Sequence, residues 1–200
     1  MSGVALRLSG IACARGGRLL FRGVDLALEQ GGSALLRGPN GIGKSSLMRI
    51  CAGLLRPTAG TIERRGRIAL ADERLALDLE EPLAQALGFW ARLDGADGRA
   101  LDGALEAMAL GPLVGIPVRM LSTGQRKRAA LARVIASGAE LWLLDEPGNG
   151  LDEASLGLLG AAVAAHLARG GIMLAASHQP LPVKSPVVID LAAYVAEEAA

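Results

Sequence analysis

From Val4 to Glu29 apolar and polar residues alternate in short runs such as VALRL and VDLAL, interrupted by the pair Gly16 and Gly17. A period of two broken by glycines predicts strands with one buried face, arranged as an antiparallel meander. Ser33 to Arg37, SALLR, reads as a short buried strand. It meets a glycine-rich turn, after which KSSLMRICAGLL spaces its apolar residues as a helix does. Past Pro57 and Gly60 a strand pair, TIERR and RIALA, is expected. The pattern is helical from Leu83 to about Leu110, where ALEAMAL is a good helix former, loop-rich up to Pro117, and helical again from Thr123 to Ser137. Two more buried strands, ELWLLD and GIMLAAS, flank a helix from Ala154 to Arg169. Beyond Pro182 the pattern weakens, and VKSPVVIDLAAYVAEEAA reads as an edge strand followed by a frayed helix.

Strands alternating with helices predict an α/β fold with a mostly parallel sheet. An antiparallel β-region precedes it and a small helical subdomain lies at about 83–137. At 200 residues the chain suits one domain over 1–200.

Composition narrows the chemistry. Apolar residues make up 51% but aromatic ones only 2%, so the core is aliphatic and rings for stacking a base are scarce. A net charge of +1 leaves no basic face large enough to make nucleic acid the main partner. Cys13 and Cys51 lie far apart and outside any metal-binding spacing, so both are expected to be buried and reduced. The opening MSGVALRLSG lacks the regions of a signal peptide. The longest apolar stretch, Leu156 to Ala168, is short of the roughly 20 residues of a bilayer span and contains His166. No direct membrane span is expected, and any membrane association must come through a partner.

Gly38-Pro39-Asn40-Gly41-Ile42-Gly43-Lys44-Ser45 matches G-x-x-x-x-G-K-[ST] in full, between a strand and a helix. Its glycines let successive backbone N–H groups face a phosphate, and the positive end of the following helix favours the same anion. Lys44 is expected to reach the β- and γ-phosphates of a nucleotide, Ser45 to hold Mg²⁺, and Ser46 to add a hydroxyl near the α-phosphate. LWLLDEP sets Asp145 and Glu146 at the carboxyl end of a buried strand, where ligands bind in open α/β sheets. Asp145 then faces the metal shell of Ser45, and Glu146 is positioned to polarise the attacking water.

Between these elements stands Leu121-Ser122-Thr123-Gly124-Gln125. A turn carrying Ser122 and Gly124 ahead of a helix is a second anion site on the same chain. The segment resembles the LSGGQ signature motif of ABC (ATP-binding cassette) ATPases, and the resemblance extends from about Leu6 to Pro182. It implies a P-loop ABC ATPase core that hydrolyses ATP with Mg²⁺, and a homodimer in the ATP-bound state. In that dimer the signature loop, with Ser122, Gly124 and Gln125, closes the other copy's nucleotide. Asn149-Gly150-Leu151-Asp152 resembles the D-loop that couples the two sites, and His178, after GIMLAAS, resembles the switch histidine at the γ-phosphate. His166 has no such context and is expected to be solvated.

At subfamily level GIACARGGRLLF, GPNGIGKSSLMRICAGLLRP and ARGGIMLAASHQPLP are similar to the ATP-binding subunit of haem exporters that serve cytochrome c maturation. This resemblance implies a homodimer on the cytoplasmic face of the bacterial inner membrane, bound to separately encoded integral membrane subunits. The alternatives are the ATPase of another small-molecule exporter, and a non-transport ABC ATPase. The second would bring tandem cassettes, long insertions or a basic arm, and a silent regulator would lack Lys44, Asp145 or Glu146.

Three departures from the family pattern stand out. Cys13-Ala14-Arg15 has no ring where many members stack adenine, which makes Arg15 the candidate to lie over the base. The usual metal-sensing glutamine would fall near Asp72 and Glu73. Gly148-Asn149 replaces a bulkier pair after DEP, a change expected to loosen the dimer contact.

Overall fold

The computed structural model describes residues 3–195. β1 (Ala5–Arg15) and β2 (Arg18–Glu29) form an antiparallel hairpin turned at Gly16 and Gly17, and β4 (Ala59–Arg65) pairs antiparallel with the other edge of β1. A second sheet holds β3 (Ser33–Arg37), β5 (Ile68–Ala71), β6 (Leu141–Asp145), β7 (Ile172–Ala176) and β8 (Val187–Asp190), all parallel, in the order β5-β6-β7-β3-β8. Because every strand runs the same way, the loops leaving β3, β5, β6 and β7 open on one edge of the sheet.

TIERR and RIALA, expected as a pair, belong to different sheets. β4 lies beside β1 and β5 beside β6. The break falls at Gly66, where φ is +114° and an added Cβ would approach Leu141 Cδ1 to 2.8 Å. The chain passes against the sheet there and cannot turn back on itself as a hairpin.

α1 (Lys44–Cys51) follows β3. It stops before AGLL because Gly53 turns left-handed at φ +78°, and Arg64 donates to the helix-end carbonyls of Ile50 and Cys51 at 2.6 and 2.8 Å. The helical stretch after Leu83 is two helices, α2 (Leu83–Leu93) and α3 (Gly98–Ala107). Asp97 starts the second by accepting from Ala100 N at 2.9 Å. α4 (Thr123–Ala136) and α5 (Glu153–Ala168) lie close to their expected bounds. β8 is an edge strand as read, but the chain then forms a 3-10 turn (Leu191–Tyr194). The rest of the expected frayed helix lies outside the described residues.

Apolar clusters cover both faces of the parallel sheet. Leu141 and Leu143 of β6, with Ile172 and Leu174 of β7, meet Leu36, Leu47, Ile50 and Phe21 under the antiparallel sheet. Trp142, Leu144, Met173 and Ala175 point the other way, into a cluster shared with Leu87, Met108, Leu110 and Leu131 of the helical segment. Burial on both faces explains why β6 reads as an unbroken apolar run. Cys13 and Cys51 are buried free thiols.

His166, expected to be solvated, is buried. Its ring lies flat on the Trp142 indole with centroids 3.8 Å apart, and Nε2 is 3.1 Å from the Ile172 carbonyl oxygen. Gly171 makes this possible, since a Cβ there would collide with the imidazole. Burial pushes the His166 pKa down, opposed by the Ile172 carbonyl.

Candidate functional site

The turn between β3 and α1 is built on Gly43, which precedes the helix at φ +114°. A Cβ there would stand 2.9 Å from the Phe21 ring, so the backbone can run this close to β2 only as glycine. No side chain caps the first turn of α1, and no acidic residue lies in it. Its N–H groups and the positive helix end are left for an external anion.

Lys44 folds back over the loop. Its Nζ donates to the Gly38 carbonyl at 2.8 Å and to that of Pro39 at 3.4 Å, and lies 4.0 Å from Glu146 Oε1. The Lys44 and Glu146 side chains are 7% and 10% exposed, so each charge is stabilised by the other and by main-chain dipoles more than by water. Ile42 N donates to the Pro39 carbonyl at 3.4 Å, closing the loop around Asn40 and Gly41.

A cavity of about 410 Å³ opens at this loop. Asn40, Gly41, Gly43, Lys44, Ser45 and Ser46 line one side, and Glu73, Asp145 and Glu146 the other. Burial pushes the Asp145 carboxyl up, while the facing Ser45 hydroxyl draws it down; Glu146 and Glu73 add to the rise and Lys127 opposes it. Glu146 sits at the turn out of β6 with φ +47°, held there as its N–H donates to the Ala176 carbonyl at 2.8 Å. Its Oε2 is 2.9 Å from His178 Nδ1 just past the end of β7, and the His178 side chain is 48% exposed. Lys44, Glu146 and His178 thus form a chain of contacts across three strand ends.

Ser122, Gly124 and Gln125 do not line this cavity. They head α4 in a capping box: Gln125 N donates to the Ser122 hydroxyl at 3.2 Å, and Ser122 N to Gln125 Oε1 at 2.8 Å. Ser122 and Thr123 are exposed, while Gly124 packs against Gly150, whose carbonyl would be 3.0 Å from an added Cβ. The signature segment therefore lies apart from the phosphate loop on the same chain.

Arg15 is exposed at the end of β1 and does not line the cavity; Leu20, on β2, does. Sequence reading missed Leu20, whose aliphatic side chain gives no signal of its own. It also missed Lys127, which donates from α4 to the Asp145 carbonyl at 3.3 Å.

Among the described residues no group of three or more His, Cys, Asp or Glu side chains is arranged to hold a metal alone. Ser45 and Asp145 nevertheless supply facing oxygens beside the anion loop, a donor set that suits Mg²⁺ shared with phosphate oxygens. Among the described residues no helix is long and apolar enough to cross a membrane.

Comparison with known proteins agrees with this geometry. The family model described as ABC transporter matches residues 21–149. The cytochrome c biogenesis ATP-binding export protein CcmA of Sphingopyxis alaskensis is 59% identical over 90% of this chain and 93% of its own. The protein of the same description from Novosphingobium aromaticivorans is 58% identical over 92% and 94%. An ATP-binding protein of an ABC transporter from Pyrococcus furiosus superposes with a TM-score of 0.85 at 24% identity, covering 96% of this chain and all of that one, a likeness of fold. A cavity walled by the phosphate loop and the end of β6, the family model over residues 21–149, and relatives matched over nine-tenths of the chain together show that it belongs to the ABC transporter family, as an ATP-binding subunit.

Proposed function

We propose that this subunit hydrolyses ATP to drive an exporter of cytochrome c biogenesis, the role its relatives' names describe. The observation that carries the hydrolytic part is Glu146, suspended between Lys44 and His178 at the mouth of the phosphate loop. In this reading the backbone from Gly38 to Ser45 and the Lys44 ammonium hold the β- and γ-phosphates, and Ser46 meets the α-phosphate. Ser45 and Asp145 would hold Mg²⁺, which would offset negative charge on the phosphates. Glu146 accepts a hydrogen bond from the attacking water and polarises it, while His178 orients the Glu146 carboxylate and donates toward the γ-phosphate. Glu73, Asp145 and Glu146 would repel a triphosphate, which favours a metal-dependent reaction.

Ser122, Gly124 and Gln125 do not line their own chain's cavity, so in this reading they complete a nucleotide site on a second copy. We assign a head-to-tail homodimer in the ATP-bound state, in which the exposed Asn149 of each chain meets its partner. Integral membrane subunits then receive the closure at the cytoplasmic face of the inner membrane, with haem the candidate cargo. The chain is taken as one ABC ATPase domain over 1–200 with a helical subdomain near 83–137.

The test is genetic. Cells with Lys44→Ala as sole copy should make c-type apocytochromes but fail to mature them, with other haem proteins spared. Normal holocytochrome c there would redirect the reading to another small-molecule exporter.

A further inference from the structure

α4 starts at the signature loop and runs past the end of β6. In the basic run after Gln125 the side chains diverge. Arg126 reaches the Arg119 carbonyl, and Arg128 binds those of Met108 and Ala109 at 2.8 and 3.0 Å. Lys127 turns toward β6, and its Nζ donates to the Asp145 carbonyl at 3.3 Å. It lines a cavity of about 400 Å³ together with Asp72, Glu73, Thr123 and Asn149.

Burial works against the charge on this ammonium, and the fields of Asp145, Glu146, Glu73 and Asp72 sustain it. Among the described residues none of these carboxylates comes within salt-bridge distance of Nζ, so the charge acts on the ends of β5 and β6 together. Lys127 is half-buried, and a methionine of similar length would fill the same space without placing an ammonium beside the Asp145 carbonyl. The arrangement therefore calls for a role beyond packing. Nearby, the Gly124 and Gly150 contact closes a second link between α4 and the segment following Glu146.

We propose that Lys127 is a positioning residue that ties the signature-loop helix to the carboxylate end of β6 within one chain. The edge offered to the partner copy's nucleotide and the carboxylates serving the chain's own nucleotide then move as one body. Lys127 acts through the Asp145 main chain and touches no substrate. The assignment rests on the hydrolytic and dimeric reading given above.

The test uses full-length Lys127→Met, Lys127→Gln and Lys127→Arg, alone and combined with Glu146→Gln. The monomer's affinity for ADP should stay within about twofold of wild type in all of them, because the phosphate loop is untouched. Turnover should fall at least tenfold in Lys127→Met with KM for ATP rising alongside it, and Lys127→Arg should recover most of both. On the Glu146→Gln background, Lys127→Met should raise the ATP concentration needed for dimers at least tenfold. Wild-type turnover in Lys127→Met, with Glu146→Gln inactive and dimeric, overturns the role of Lys127 alone. Equal losses in Lys127→Met and Lys127→Arg overturn it too, since they point to side-chain shape. Wild-type turnover in Glu146→Gln, or its failure to dimerise with ATP, overturns the underlying reading instead. Should Lys127→Met fail to fold, Lys127→Arg against Lys127→Gln carries the comparison: an active Arg variant with an impaired Gln variant supports the tie, and equal wild-type activity overturns it.

Discussion

His178 Nδ1 lies 2.9 Å from Glu146 Oε2, joining the ends of β7 and β6 across the mouth of the nucleotide cavity. The imidazole therefore fixes the direction in which the carboxylate can reach. Glu146→Gln should retain ATP binding and lose about 10²–10⁴-fold in turnover, the range of a lost general base. His178→Ala should also bind ATP and lose at least about tenfold, with the carboxylate present but unoriented. Single-turnover hydrolysis beside equilibrium nucleotide binding checks both, and a histidine variant with unchanged turnover would remove it from the site.

Metal removal follows from the charge around the cavity. With Glu73, Asp145 and Glu146 on one wall and Lys44 opposite, chelation should abolish hydrolysis and weaken ATP binding more than ADP binding. Calorimetric titration of both nucleotides with and without Mg²⁺ gives the comparison. Equal affinities in all conditions would place the triphosphate away from these carboxylates.

Base recognition should depend on Leu20 and hardly on Arg15. Arg15→Ala should change ATP affinity less than about twofold, because that side chain is exposed and does not line the cavity. Leu20→Phe adds a ring at the cavity wall, and stacking on a base contributes about 1–3 kcal/mol. Tighter ATP and GTP binding is expected from it. A large loss in Arg15→Ala would restore Arg15 as the base contact.

His166 gives a pH dependence of stability. Its folded pKa lies below the unfolded value of about 6.5, so below that pH the unfolded chain takes up a proton that the folded chain resists. Stability is fully present above about pH 6.5 and falls as pH drops toward the folded pKa, by up to about 1.4 kcal/mol per pH unit. Urea unfolding at pH 7.5 and 5.5 should show this loss in the wild type and a smaller one in His166→Phe. Equal losses in both would assign the pH dependence to other groups.

Gly171→Ala should act on the same contact at any pH. Its Cβ would enter the imidazole volume, and relief requires lifting His166 from Trp142 or shifting the backbone before β7. A loss of about 1–3 kcal/mol is expected, the usual scale of overpacking. Thermal unfolding of the purified variant measures it.

How far these features could be read from the sequence depends on whether their causes are local. β6 was legible because both its faces are buried, and the phosphate loop because its glycines, lysine and serine are consecutive. The partners of β4 and β5 were not, since a single turn at Gly66 diverts the chain into another sheet. α5 is apolar almost all round, so its periodicity does not reveal which way His166 points; the Trp142 ring decides that. Lys127 stands in a run that looks solvated, and the carbonyl that draws it inward lies 18 residues further on.

The left-handed backbone at Glu146 carries an evolutionary consequence. Unlike glycine, and more than asparagine or aspartate, an L-residue such as glutamate adopts φ +47° at a cost of about 1–2 kcal/mol. Every folded copy bears that cost, with or without nucleotide. Random drift toward a more relaxed turn would therefore favour glycine or asparagine, and under the role proposed for Glu146 each such step yields a cassette that folds, grips ATP and fails to split it. Selection on folding alone would erode this position, so the glutamate persists only where turnover itself is under selection.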